Sequence, residues 1–103
     1  MLNAHEIGRL RRFLAREDER LPIIFNALGD PTRCAIFRSF LTKKRLCVSD
    51  IARTCKLSMS LASQHLKILE ITKLLIREKE GRTVYYRANA DDALVRAIIK
   101  AVE

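Results

Sequence analysis

The chain has 103 residues, of which 49% are apolar, and it carries 20 Lys and Arg against 12 Asp and Glu, a formal net charge of +8. This length fits one domain with a modest core, and the apolar content excludes a disordered chain. The positive balance favours a polyanionic partner.

Two further features of composition bear on the location of the protein. No apolar run reaches the roughly 18–20 residues of a membrane-spanning helix, and the opening Met1-Leu2-Asn3-Ala4-His5-Glu6 leads into mixed charges rather than into a signal peptide. Three Cys, an odd number, argue against a disulfide framework. We therefore expect a cytoplasmic protein with reduced thiols.

The first predicted element is an amphipathic helix over residues 3–20. Its apolar side chains form a narrow stripe between charged ones, and they are Ile7, Leu10, Phe13 and Leu14. This stripe has to be buried either on the body of the domain or on a second chain.

Two more helices are predicted before residue 42. Pro22 fits the first turn of one helix, which ends at Gly29. Asp30 is placed to cap the next helix, with Pro31 at its first position. The apolar positions of that helix have a spacing of three to four and are assigned to the core: Ile36, Phe37, Phe40 and Leu41.

The segment from residue 42 to residue 69 predicts a basic loop, a short strand and two helices joined by a tight turn. In the first of these helices Ile51, Ala52 and Cys55 form one buried face, and either Ser49 or Asp50 is the expected N-cap. Leu57 falls in the turn, and Ser58 is the expected N-cap of the second helix.

The second of these helices has a polar and an apolar face. The residues expected to face inward are Leu61, Ala62, Leu66, Leu69 and Ile68, and those expected to face outward are Met59, Ser60, Ser63, Gln64 and Lys67. Ser, Gln and Lys side chains hydrogen-bond base edges and phosphates. The alternative is that this polar face only meets water, but the neighbouring helix, the basic charge and a following hairpin favour DNA contact.

The C-terminal third predicts a β-hairpin and a last helix. Residues 74–78 form one strand, Gly81 lies in the turn, and the β-branched and aromatic residues 83–88 form the return strand. Asn89 or Asp91 is the expected cap of the helix, which carries a wide apolar stripe of Leu94, Val95, Ile98, Ile99 and Val102. We favour a dimer interface for this stripe over packing on the core of its own chain.

Four segments of the chain, ALGDPTR (27–33), LCVSDIA (46–52), SQHLKIL (63–69) and EGRTVYYR (80–87), resemble the ArsR/SmtB-type winged helix-turn-helix repressors in order and spacing over residues 21–88. The resemblance implies a mainly α fold with a small β-hairpin (α+β), a winged helix-turn-helix in a homodimer. It divides the chain into an N-terminal dimerisation helix (1–20), a DNA-binding core (21–88) and a C-terminal dimerisation helix (89–103).

The resemblance also implies a function and a set of site residues. A homodimer would bind an inverted-repeat operator in double-stranded DNA and repress transcription, often of its own operon. The residues that match the reading face are Met59, Ser60, Ser63, Gln64 and His65, and those that match phosphate or minor-groove contacts are Lys67 and Arg82. Many members have Gln where this chain has Met59, whose side chain could instead touch a thymine methyl. The residues implied for the dimer interface are Leu10, Phe13, Leu14, Leu94, Val95, Ile98, Ile99 and Val102.

Members of this family are often released from DNA by an effector such as a metal ion. The usual Cys-Val-Cys run is Cys47-Val48-Ser49 here, a further Cys of some arsenic sensors is Ala52, and the last helix has no His for the second family site. A hydroxyl is a poor ligand for soft metals, so neither usual metal site of the family is complete; we expect no cofactor, and a metal effector stays an open alternative. Cys47 stays a weak redox or ligand candidate. Cys34, Cys47 and Cys55 could together form a metal site, but free cysteines more often act as small buried apolar side chains. We therefore disfavour such a site.

Other function classes are weighed against this one. The sequence shows no nucleophile with an obvious base, no Gly-rich phosphate loop and no metal-binding cluster, so we do not expect an enzyme. The remaining alternatives are a winged-helix DNA-binding protein without effector control and a winged-helix protein-interaction module.

Overall fold

The computed structural model describes residues 1–16, 19–42 and 44–103. In this part of the chain six helices and three strands follow in the order α1 (Ala4–Ala15), α2 (Arg20–Leu28), α3 (Pro31–Ser39), β1 (Leu46–Cys47), α4 (Val48–Cys55), α5 (Met59–Ile71), β2 (Leu75–Glu80), β3 (Thr83–Ala88) and α6 (Ala93–Val102). The predicted fold class, mainly α with a small β-hairpin, is confirmed. None of these helices is long and apolar enough to cross a bilayer.

One hydrophobic core is formed by residues of α2, α3, α4, α5 and α6 together with the base of the sheet. Its largest side chains have no exposed surface, and they are Phe37, Ile24, Ile36, Ile51, Leu66, Leu69, Leu74, Leu75 and Val95. Full burial of one such side chain stabilises the fold by about 1.5–3 kcal/mol. Leu41, expected in the core, is half-buried.

The sheet is antiparallel, with the strand order β1-β3-β2. The hairpin pairs Leu75 with Ala88 at one end and Glu80 with Thr83 at the other, which leaves Gly81 and Arg82 as a two-residue turn. The return strand has the predicted bounds, while β2 starts one residue later and ends two residues later than predicted. The short β1 extends the hairpin to three strands by pairing with Tyr85 and Tyr86.

The helix caps agree with the sequence for α3 but not for α4. The Asp30 carboxylate accepts a hydrogen bond from the N–H of Arg33 at 2.9 Å, and Pro31 is the first residue of α3, as predicted. At α4 the cap is Cys47, two residues before the predicted Ser49 and three before the predicted Asp50. Asp50 lies in the first turn of α4, and its carboxylate accepts a hydrogen bond from the backbone N–H of Cys47 at 2.9 Å. Asp50 thus bonds the cap residue from inside the helix instead of being the cap itself.

The first helix is shorter than predicted and packs little on its own chain. It ends at Ala15 rather than at residue 20, because no apolar side chain follows until Leu21 to continue the stripe. None of its residues is buried, and Phe13 and Leu14 are 70% and 60% exposed. Glu17 and Asp18, which the prediction placed in this helix, lie outside the described residues.

The last helix packs on the core of its own chain. Val95 is 0% and Ile98 9% exposed, so both side chains are already covered by their own subunit, contrary to the expectation that this stripe faces a partner; their assignment to the dimer interface stays a prediction. Leu94, Ile99 and Val102 are partly buried against the same core, and a role for them in a dimer stays a prediction. The cap of α6 is Asp92, not the expected Asn89 or Asp91.

Asp92 also connects α6 to α2. Its two carboxylate oxygens lie 2.7 and 3.2 Å from the Nη1 and Nη2 atoms of Arg20, and one of them accepts from the N–H groups of Leu94 and Val95. The Arg20 guanidinium, followed by the Val95 N–H group, lowers the pKa of Asp92 to about 2. The charged carboxylate therefore stabilises the folded state.

We predict that Asp92→Asn lowers the free energy of unfolding at neutral pH, and that this difference disappears in acid. Because the pKa is lowered in the folded state, the stabilisation is complete above the unfolded value of about 3.9 and is lost as pH falls through about 2. Asn still caps a helix, so the substitution removes mainly the charge. Urea titrations at a series of pH values measure the difference.

Asp91→Asn is the matched control for this experiment. The Asp91 side chain is 87% exposed and lies 3.9 Å from Arg87, so its replacement should change stability little at any pH. A difference between wild type and Asp92→Asn that stays constant from neutral pH to about pH 2 would contradict the assignment of the stabilisation to this ion pair.

Candidate nucleic-acid interface

The turn between α4 and α5 consists of Lys56, Leu57 and Ser58. Lys56 adopts the left-handed conformation, with φ 56° and ψ 50°, and Leu57 donates its N–H to the carbonyl oxygen of Ala52 at 2.9 Å. The side chain of Leu57 packs against the core. The turn therefore sets the angle at which α5 leaves α4, and the predicted helix-turn-helix is confirmed.

Ser58 begins α5 as predicted. Its Oγ atom accepts a hydrogen bond from the N–H of Leu61 at 3.0 Å. This bond satisfies one of the free N–H groups at the start of the helix. The N-terminus of α5 is thereby ordered at the end of the helix where side chains reach base edges in helix-turn-helix proteins.

The two faces of α5 follow from its buried residues. Ala62, Leu66 and Leu69 are fully buried. Because a helix turns about 100° per residue, the opposite face carries Ser60, Gln64 and Lys67, with Ser63 on one flank and Met59 at the start of the helix, all exposed. The predicted outward residues thus share a surface. Two predicted inward residues are wrong, since Leu61 is 41% and Ile68 38% exposed, and both lie well away from the buried face, with Ile68 next to Gln64 on the outward side.

His65 is separated from this outward surface. Its side chain is half-buried, and its Nδ1 atom lies 3.5 Å from Nη1 of Arg33 in α3. The predicted assignment of His65 to the reading face is not tested by this contact, but its ring is turned toward the body of the domain. Arg33 was not singled out from the sequence, because no local pattern predicts a contact between residues 32 positions apart.

The β2–β3 hairpin forms the wing. Gly81 has φ +62°, which a type II′ turn requires at its first central position and which glycine adopts without strain. Arg82 follows it and is exposed at the tip. The predicted phosphate or minor-groove contact of Arg82 is therefore accessible to DNA.

The wing is attached to the loop before β1 through Arg45. The Nη1 atom of Arg45 lies 2.6 Å from Oε2 of Glu80, and its guanidinium lies over the Tyr85 ring, 4.3 Å from the centroid. The hydrogen bond to Glu80 raises the pKa of Arg45. On the hairpin, Arg87 Nε pairs with Glu78 at 3.2 Å. The Arg45 contacts connect the wing to the rest of the domain, and the Arg87–Glu78 pair joins its two strands.

The three cysteines are free and half-buried. The thiol of Cys47 donates to Oδ2 of Asp50 at 3.2 Å, and the N–H and thiol of Cys47 lower the pKa of that carboxyl. Among residues 1–16, 19–42 and 44–103, no three His, Cys, Asp or Glu side chains are grouped so as to hold a metal ion. Cys47 thus lies at the start of α4, with its thiol hydrogen-bonded to a carboxylate.

The comparisons with known proteins agree with this geometry. A family model described as a helix-turn-helix domain matches residues 28–78. A cadmium resistance transcriptional regulatory protein CadC homolog from Staphylococcus aureus is 30% identical over 96% of this chain and 81% of its own length. The chain belongs to the ArsR/SmtB family of winged helix-turn-helix transcriptional regulators. Members of this family bind DNA and are not enzymes, so the proposed class of protein is confirmed.

Two solved structures have a similar fold. The transcriptional repressor PagR of Bacillus anthracis superposes with a TM-score of 0.71 at 29% identity, over 82% of this chain and 94% of that chain. A homodimeric winged helix-turn-helix DNA-binding domain from Mycobacterium bovis gives a TM-score of 0.70 at 20% identity, over 99% and 84%. Three further curated relatives are longer, and this chain spans 51–66% of their length.

We predict that Ser58→Ala lowers the free energy of unfolding by about 1 kcal/mol, the usual cost of losing a serine N-cap. The matched control is Ser60→Ala, because Ser60 is exposed in the first turn of the same helix and is expected to change stability by less than about 0.5 kcal/mol. Denaturant titration of both variants measures the difference. Equal losses in the two variants would show that the Ser58 hydrogen bond does not stabilise α5.

Proposed function

We propose that this protein is a homodimeric transcriptional repressor that binds an inverted-repeat operator in double-stranded DNA. The observation that carries the proposal is the exposed polar surface of α5, formed by Ser60, Gln64 and Lys67 opposite its fully buried residues and by Ser63 on the adjoining flank. An α-helix with this arrangement fits the major groove, which it enters with its polar face toward the bases.

The chemistry of this surface supports direct reading of bases. Gln64 offers an amide that pairs with adenine in a bidentate manner, and serine hydroxyls donate to or accept from any base edge. The short side chains of Ser60 and Ser63 let the helix backbone approach the groove floor closely. The exposed thioether of Met59 adds an apolar contact suited to a thymine methyl.

Phosphate contacts would come from basic side chains around this surface. Lys67 is exposed beside Gln64 on α5, and Arg82 is exposed at the tip of the wing. A net charge of +8 on 103 residues favours binding to DNA of any sequence and makes that binding dependent on salt. Base contacts then supply the selectivity for an operator.

A second copy of the chain is the partner proposed for α1. A helix of 12 residues is marginal in water without tertiary packing, yet α1 buries no residue on its own chain. Its exposed side chains Leu10, Phe13 and Leu14 would pack on their symmetry equivalents about a two-fold axis. Such a dimer would present two α5 helices to successive major grooves, as an inverted repeat requires.

The proposal includes no resident metal or cofactor, and it leaves the effector open between an unidentified ligand or oxidant and control by concentration alone. Cys47 remains the weak candidate for an oxidant or ligand, because it lies at the start of the helix-turn-helix, where family members bind effectors; its hydrogen bond to the Asp50 carboxylate does not favour the reactive thiolate. That PagR is named a repressor supports repression as the outcome of binding.

We predict that Gln64→Ala weakens binding to an operator by about 1–3 kcal/mol and weakens binding to random DNA of equal length much less. The operator is the sequence that the wild-type protein selects from a random pool. Arg82→Ala is the matched comparison, because loss of a phosphate contact should weaken both DNAs alike and reduce the dependence of affinity on salt. Fluorescence anisotropy at several salt concentrations measures both variants. Equal losses on the two DNAs for Gln64→Ala would contradict base reading by this residue.

We predict that Phe13→Glu produces monomers with weak operator binding, because a carboxylate in an apolar interface is not compensated. Arg12→Gln is the matched control: it lies on the opposite side of α1 and changes the net charge by the same amount. Sedimentation measures the mass of both variants. A Phe13→Glu variant that remains a stable dimer would show that α1 does not form the interface.

A further inference from the structure

Arg33 is held in place around the corner between α2 and α3. Its N–H donates to the Oδ2 atom of Asp30 at 2.9 Å, and its Nε atom donates to the carbonyl oxygen of Ala27, in the last turn of α2, at 2.9 Å. The side chain is half-buried. These bonds give the guanidinium a defined direction.

The free end of this guanidinium faces α5. Nη1 of Arg33 lies 3.5 Å from Nδ1 of His65, at the long end of the hydrogen-bond range. A guanidinium has donors only, so the Nδ1 atom of a neutral imidazole facing it must carry the lone pair. The proton of the ring is then on Nε2, on the side away from Arg33.

Asp30 completes this cluster. The N–H of Arg33 is the main cause that lowers the pKa of the Asp30 carboxyl, and the charge of the Arg33 guanidinium lowers it further. The cluster of Asp30, Arg33 and His65 thus connects the end of α2, the start of α3 and the middle of α5.

We propose that Arg33 is a positioning residue for DNA recognition, which sets the rotation of α5 through Nδ1 of His65. The other anchors of α5, Ala62, Leu66 and Leu69, are apolar, and apolar contacts are not directional. A hydrogen bond is directional, and bonds from Ser63 and Gln64 to base edges weaken steeply with angle. A fixed rotation therefore matters more for selectivity than for overall affinity. The inference rests on the proposed function of α5, and it assigns His65 to positioning instead of base contact.

Two substitutions of His65 separate the two roles. In His65→Asn an amide oxygen takes the place of Nδ1, so the acceptor for Arg33 is kept and the outer nitrogen is lost. In His65→Gln the amide lies near the place of Nε2, so a group facing outward is kept and the inner acceptor is lost. Arg33→Lys keeps the charge but replaces the planar fork by a single nitrogen, which does not serve Ala27 and His65 together.

The measurement is the ratio of affinities for the selected operator and for random DNA. Arg33→Lys and His65→Gln are expected to lower this ratio by about tenfold, the size of a hydrogen bond to a charged group, while His65→Asn keeps it within about threefold. The control Arg38→Lys, exposed on the same helix, should leave it unchanged. The proposal is overturned if His65→Asn loses as much as His65→Gln, if it loses more, or if neither substitution changes the ratio.

A second readout needs no DNA. Imidazole ¹⁵N chemical shifts of His65 in the folded protein, with the other histidine removed by His5→Gln, are expected to show the proton on Nε2 and to move toward a mixture of tautomers in Arg33→Lys. A proton on Nδ1 in the wild type would overturn the Arg33–His65 pair. A wild-type protein that prefers no DNA sequence would instead defeat the proposed function, and the NMR result would still decide the pair.

Discussion

The burial of one face of α5 is the constraint on which the other features of the domain depend. Ala62, Leu66 and Leu69 have no exposed surface, and the two leucines together contribute about 3–6 kcal/mol by removal from water. Once these residues face the core, helical geometry places Ser60 and Gln64 on the outside. The surface available to DNA is therefore a consequence of core packing, and the turn at Lys56–Ser58 and the cap at Ser58 fix where along the groove it begins.

Polar contacts add to this apolar packing, and three of them are made by arginines. Arg45 connects the wing to the loop before β1 through Glu80 and Tyr85, Arg20 connects α2 to α6 through Asp92, and Arg33 reaches α5 at His65. Three arginines thus act inside the subunit, which means that a count of basic residues overstates the charge available to phosphates. Exposed basic side chains that could meet DNA include Lys67 on α5, Arg82 at the tip of the wing and Lys56 in the turn before α5.

Local patterns in the sequence predicted the elements that carry the function. The Asp30–Pro31 start, the Ser58 cap and the Gly81 turn each depend on residues within a few positions, and all three were found as expected. The inward assignment of Leu61 and Ile68 was wrong because an apolar side chain on the flank of a helix is compatible with either side. The caps at Cys47 and Asp92 were missed because neighbouring polar residues compete for the same N–H groups.

Long-range contacts were beyond the sequence. The wide stripe on the last helix gave no sign that Val95 and Ile98 belong to the core of their own subunit, since an apolar face looks the same whichever chain covers it. The Arg33–His65 contact and the Arg20–Asp92 pair join residues 32 and 72 positions apart, and no spacing rule links them. After folding the stripe on α1 remains exposed, while the stripe on the last helix is largely covered by its own subunit. The exposed stripe on α1 is therefore better evidence for a dimer than the apolar patterns in the sequence were.

The most direct measurement is selection of bound sequences from a pool of random double-stranded DNA by the wild-type protein. A dimer that reads DNA through two α5 helices should enrich an inverted repeat whose half-site centres lie about 10–10.5 base pairs apart. Enrichment of a single half-site, of a direct repeat or of no sequence at all would contradict the account of a homodimer that recognises its operator through the exposed face of α5.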